Sequence, residues 1–174
     1  MRARDPRAGT PDVETRVAVT GHRVFDAAAA EHIRSGVEQL LEMLAATGPV
    51  RVITNLAEGA DQLVVEAAVQ RGLQLEVIVP AAGFAESLPE PDQHRYAELL
   101  TAADAVRTLD HPAPSPAAYR EAGLAMLAGA DLLLAVWDGF PARGVGGSAE
   151  VVARARELDL PVEVIWPPGY ARPA

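Results

Sequence analysis

The chain has 174 residues, 49% of them apolar and 5% aromatic, with 15 basic against 24 acidic side chains and a net charge of −9. That is enough chain for one core, built from Ala, Val, Leu and Ile more than from aromatic rings. There is no cysteine, and every basic residue is arginine, which excludes disulfides, thiolate and Schiff-base chemistry and a Walker-type phosphate loop.

The acidic balance and the scarcity of aromatic rings predict no nucleic-acid partner, because a phosphate backbone wants a basic face and bases want stacking platforms. A small anion remains within reach of a few local donors. No apolar run approaches the roughly 18 residues of a membrane span, and the N-terminus lacks a signal-like apolar core. The expectation is a cytoplasmic protein with no membrane partner.

Residues 1–14, rich in Arg, Pro and Gly without periodicity, read as a flexible leader. Arg16–Thr20 is a β-branched first strand ending at Gly21. Ile33, Val37, Leu40, Leu41 and Leu44 recur at helical spacing and predict a helix over 27–46, stopped near Gly48-Pro49. Val50–Asn55 is a second strand. Ala60–Arg71 is a helix with Gly72 just past its end. Leu75–Val79 is a third strand, followed by an irregular stretch over 81–93 and a helix over 93–103. Ala105–Leu109, Asp131–Trp137 and Val162–Trp166 read as strands, with helices over Ala117–Ala128 and Ser148–Leu158 between them. Residues 169–174 read as a tail.

Strands alternating with helices imply right-handed βαβ units. The predicted fold is α/β: one Rossmann-like, three-layer domain over 15–168, with a mostly parallel sheet of about six strands and helices on both faces. Ligands of such sheets bind outside the carboxyl ends of the strands, near the switch in strand order. That directs attention to the loops leaving the first, second and fifth strands.

After the first strand stand Thr20, Gly21, His22 and Arg23, where glycine allows close approach and the next two side chains offer donors. The plain alternative is a solvated turn. After the second strand, Glu58, Gly59 and Asp61 open a helix. Acidic residues there complement the helix dipole, or accept from sugar hydroxyls. After the fifth strand, Asp138, Gly139, Arg143, Gly144, Gly146, Gly147 and Ser148 deliver a glycine-rich loop into a helix N-terminus. Free amides and the helix dipole favour an anion there, with Ser148 as cap or donor and Arg143 as a forked cation. The spacing supports no metal cluster, and the sequence requires no cofactor beyond a possible nucleotide ligand. No G-x-S-x-G elbow surrounds any serine.

Together, TGHR (20–23), NLAEGAD (55–61) and AVWDG…GVGGSAEVV (135–152) resemble the SLOG superfamily, which joins LOG-type "lysine decarboxylase" proteins with DprA-like proteins. The resemblance spans about residues 16–166. It implies a nucleotide-like ligand held against the glycine-rich helix start, and a homodimer. LOG enzymes cleave the N-glycosidic bond of nucleoside 5′-monophosphates with the last residue of P-G-G-x-G-T-x-x-E. Aligning Gly147-Ser148 with that G-T puts Val151 at the glutamate position and Glu150 one residue early, about 100° around the helix. Three functions follow as alternatives. The chain is a nucleotide binder or sensor, or a phosphoribohydrolase using Glu150 with Arg23 or Arg143 as phosphate clamp, or an assembly protein with a degenerate site.

Overall fold

The computed structural model describes residues 13–143 and 147–173. Strand and helix alternate through β1 (Thr15–Gly21), α1 (Ala27–Ala45), β2 (Val50–Thr54), α2 (Ala60–Gln70), β3 (Gln74–Val79), α3 (Phe84–Ser87), α4 (Glu90–Leu100), β4 (Ala105–Thr108), α5 (Pro116–Ala128), β5 (Leu132–Val136), α6 (Ser148–Glu157) and β6 (Val162–Val164). The six strands form one sheet in the order β4-β3-β2-β1-β5-β6, and every pairing is parallel. The first four strands step outward in one direction. The α5 crossover then returns the chain to the far side of β1, so the strand order reverses between β1 and β5.

Side chains alternate between the two faces of a strand, and the core divides accordingly. Val17, Val19, Leu132, Leu134 and Val136 pack with Ile33, Val37 and Leu41 of α1 and with Leu63 and Val64 of α2. Ala18, Leu133 and Ala135 pack on the opposite face with Ala122 and Met126 of α5 and Val152 and Ala155 of α6. The parallel sheet is thereby covered on both sides, and its central strands read as continuous apolar runs. The fold is the expected three-layer Rossmann-like domain.

Helix starts follow local chemistry. The Asp26 carboxylate accepts from the Ala29 N–H at 2.8 Å, and the Ser115 hydroxyl accepts from the Ala118 N–H at 3.1 Å. Each such cap contributes about 1 kcal/mol. The stretch over 81–93, irregular by sequence, contains α3 and the first turn of α4. Pro91 lies within that first turn, where the missing N–H costs nothing, so it opens the helix at a point where the sequence suggested a break.

Candidate functional site

The loops leaving β1, β2 and β5 converge at the reversal of strand order. Gly21 ends β1, and a Cβ there would stand 2.4 Å from the Ala60 Cβ and 2.8 Å from the Val136 Cβ. Glycine is thus required by the packing of α2 against the end of β5, while its backbone also lines the cleft above.

His22 is buried, 8% exposed. Its Nε2 lies 3.0 Å from Asp138 Oδ1, its Nδ1 lies 3.3 Å from Arg172 Nη1, and its ring meets Trp166 edge-on at 5.1 Å. A guanidinium can only donate, so Nδ1 accepts and Nε2 carries the proton toward the carboxylate. The Asp138 amide, 3.2 Å from the same Nε2, is the lesser contact, because the other tautomer would aim a ring N–H at Arg172. Burial pulls the His22 pKa down, the Asp138 hydrogen bond and charge oppose this, and Arg172 and Arg143 reinforce it. The ring is neutral at pH 7.

Asp138 accepts from the Phe140 N–H at 3.1 Å, and its Oδ2 lies 3.2 Å from Arg172 Nε without a well-aligned hydrogen bond. Burial alone would raise its pKa. The Phe140 amide, His22 and Arg172 outweigh that and hold the carboxyl below its usual range. Next to it, Gly139 sits at φ 83.

In the β2–α2 loop, Asp61 turns inward. Its Oδ2 accepts from the Thr54 hydroxyl at 3.1 Å and from the Ala57 N–H at 3.3 Å, and the Thr54 hydroxyl accepts from the Leu56 N–H at 2.8 Å. These bonds hold Leu56 at φ 58, a left-handed turn that costs a branched residue strain. Burial pushes the Asp61 pKa up to about 6, against the hydrogen bonds from Thr54 and Ala57 and the charge of Arg23.

Arg23 reaches across to the same loop. Its Nη1 donates to Glu58 Oε1 at 3.1 Å, and its guanidinium lies 5.6 Å over the Tyr119 ring. The other Glu58 oxygen is buried with no hydrogen-bond partner. Gly59, at φ 81, would bring a Cβ within 2.3 Å of the Arg23 carbonyl oxygen, so this glycine is what lets the two loops touch.

At the third loop, Gly147 precedes α6 in an extended conformation, and no side chain caps the first turn. Ser148 is the first helical residue, not the cap expected from sequence. Gly144 and Gly146 lie outside the described residues. Glu150 lines a groove between α5 and α6, where its carboxylate stands 3.9 Å from Arg120 Nε. Val151 borders both that groove and the cleft, whereas Glu150 does not line the cleft. The Arg143 guanidinium donates to the main-chain carbonyls of Pro173 and, at 3.3 Å, Arg172.

Two hollows meet at Gly21, Arg23, Gly147 and Ser148. The inner one is about 80 Å³, and its lining includes the polar Thr20, Asn55 and Asp61 and the larger Phe84, Tyr119 and Met126. The outer one is about 360 Å³ and adds His22, Arg143, Arg172 and Pro173. Only the outer falls within the roughly 300–1,000 Å³ of small-molecule pockets. Among the described residues, no group of three or more His, Asp or Glu is disposed to hold a metal ion.

Sequence reasoning missed Arg172, Tyr119 and Phe84. Phe84 lay in the stretch read as irregular, and Arg172 in the tail. The only signal for Arg172 was an arginine beside Tyr170 in an otherwise Pro-rich ending, which points nowhere by itself.

A parallel sheet with its cleft at the strand-order reversal and a glycine-opened helix at the cleft's floor defines a Rossmann-like α/β protein of the SLOG type. The profile of the YspA SLOG family matches residues 17–160, and the chain belongs to that family. No curated protein matches the sequence. Among solved structures, DNA processing protein A from Streptococcus pneumoniae superposes with a TM-score of 0.62 at 15% identity, over 86% of this chain and 50% of that one. The same protein from Helicobacter pylori gives 0.61 at 16% identity, over 86% and 64%. The Moco carrier protein from Chlamydomonas reinhardtii gives 0.55 at 19%, over 88% and 76%. The chain therefore spans less than two thirds of either DNA processing protein. At such identities these likenesses establish the fold.

The expectation that nucleic acid is excluded as a partner is corrected by this comparison. The Helicobacter protein has a single-stranded DNA binding mode, so a neighbour of this fold acts on nucleic acid and a blanket exclusion does not stand. The reasoning from net charge failed because −9 is a sum over the whole sequence. The outer hollow gathers Arg23, Arg143 and Arg172 with no Asp or Glu among its lining residues. Among the described residues, no helix is long and apolar enough to cross a membrane.

Proposed function

We propose that this protein binds a phosphate-bearing nucleotide or nucleotide-derived ligand across the two hollows, with the anionic group at the start of α6, and that it does so without LOG-type hydrolysis. The observation that carries the reading is the meeting of both hollows at Gly147 and Ser148, where α6 opens with no side-chain cap. The first-turn amides and the helix dipole favour an anion at that point, and the arginines of the outer hollow add charge-assisted donors.

Position 151 speaks against hydrolysis. The helix presents Val151 to the inner hollow and turns Glu150 toward Arg120 between α5 and α6. No carboxylate from α6 is then available to stabilise oxocarbenium character at a sugar in the cleft.

A thermal-shift series with AMP, ADP, NAD, inorganic phosphate and a short single-stranded oligonucleotide tests the binding. A ligand at about 100 times its Kd stabilises by roughly 2.7 kcal/mol. A shift with at least one nucleotide is expected, and no free base by chromatography after prolonged incubation. A shift with the oligonucleotide alone would replace the small ligand by nucleic acid, and release of base would restore the hydrolase.

A further inference from the structure

The segment after β6 has no helix or strand beyond Val164, yet it is tied down along its length. The Trp166 ring N–H donates to the Tyr170 carbonyl at 2.9 Å, and the Tyr170 hydroxyl accepts from the Asp26 N–H at 2.9 Å. Arg172 then reaches Asp138 and His22, and the carbonyls of Arg172 and Pro173 accept from Arg143. The segment crosses the carboxyl ends of β5 and β1 and forms a wall of the outer hollow.

We propose that this segment is a working wall of the ligand site, and that Arg172 is an anion-binding residue which the segment brings to it. The proposal rests on the ligand site described above. Arg172 is 14% exposed. Its Nε faces Asp138 and its Nη1 faces the neutral His22, so the fork is held in one orientation. Its Nη2 has no hydrogen-bond partner among the described residues, and the side chain belongs to the lining of the hollow. A guanidinium fixed by a buried carboxylate costs little further entropy when it binds. His22 and Asp138 are then positioning residues. Asp138 lies behind the hollow and His22 on its wall, and together they aim the cation.

Arg143 works with this device from the other side. It holds the segment by two main-chain carbonyls and has no carboxylate partner among the described residues, so its charge also adds to the field of the hollow. The ligand chemistry this selects is a phosphate or comparable oxyanion on a small organic body.

Calorimetric titration with AMP and with inorganic phosphate at low salt tests the proposal. Arg172→Ala is expected to weaken AMP binding by about tenfold or more, the loss of one charge-assisted contact. Arg172→Lys, which keeps the charge but cannot sustain the forked hold, is expected to fall between. Tyr170→Phe, which loosens the segment without touching the hollow, is expected to weaken AMP severalfold at unchanged circular dichroism. Wild-type affinity in Arg172→Ala and Tyr170→Phe, alongside lost binding in Gly147→Asp, overturns this proposal and leaves the site standing. Failure of the wild-type protein to bind either probe overturns both.

Discussion

Replacing Asp61 by Asn should steepen the rise of stability with pH between about 4 and 6. The side chain is 6% exposed, and burial lifts its pKa from 3.8 to about 6. At about 1.4 kcal/mol per pH unit, that rise amounts to roughly 3 kcal/mol of preference for the neutral form in the folded state. A carboxyl with a raised folded-state pKa gives its full stability below the unfolded value, and loses it as pH climbs through the folded one. The Asp61 contribution is therefore complete at about pH 3, below the ordinary value of 3.8, and mostly gone by pH 6. Asn keeps an acceptor for Thr54 and Ala57 and has no charge to desolvate. Other carboxylates titrate alike in both proteins and cancel in the difference. Melting of wild type and Asp61→Asn from about pH 3 to 7 should show the variant gaining on the wild type with rising pH, to a total of about 3 kcal/mol, or roughly 6–12 °C for a domain of this size. Parallel curves would refute the buried, proton-holding carboxyl.

Gly59→Ala combines a left-handed φ with a Cβ 2.3 Å from the Arg23 carbonyl oxygen. It should cost about 2 kcal/mol or more by urea unfolding, and a cost below about 0.5 kcal/mol would contradict the contact between the two loops. Leu133→Ala, at a fully buried position in the middle of β5, should cost about 2–5 kcal/mol by the same measurement. Glu58→Gln releases Arg23 from a pair whose arginine is half exposed, so stability should change by less than about 1 kcal/mol. Because Glu58 competes with a ligand phosphate for that guanidinium, AMP affinity should rise severalfold in titration. A fall would show that the pair positions Arg23 rather than restraining it.

The fold was legible because its two periodicities are clean. Leu132–Val136 is an unbroken apolar run that only a doubly covered strand can carry, and Ile33, Val37, Leu40 and Leu41 mark one stripe of α1. The location of the site followed from strand order, and the three loops named from sequence do meet. Individual roles were less legible, because several depend on a neighbour distant in the chain. Gly21 reads as a ligand contact until Ala60 and Val136 are seen beside it. Asp61 reads as a helix-dipole partner until Thr54 and Ala57 bind it from within. Arg172 reads as tail, since only the folded path of residues 167–173 brings it to Asp138 and His22. The exclusion of nucleic acid erred for the same reason, because a sum over 174 residues carries no information about where charge gathers.

The most direct measurement is a nucleotide titration of wild type and Gly147→Asp, read by melting temperature. An aspartate before α6 can cap the open first turn with its own carboxylate, so the free variant should melt no lower than the wild type. The same carboxylate occupies the anion position. If the ligand's phosphate binds there, the wild type shifts by several degrees with AMP or a related nucleotide and the variant does not. An equal shift in both proteins would place the ligand elsewhere and contradict the reading of this site.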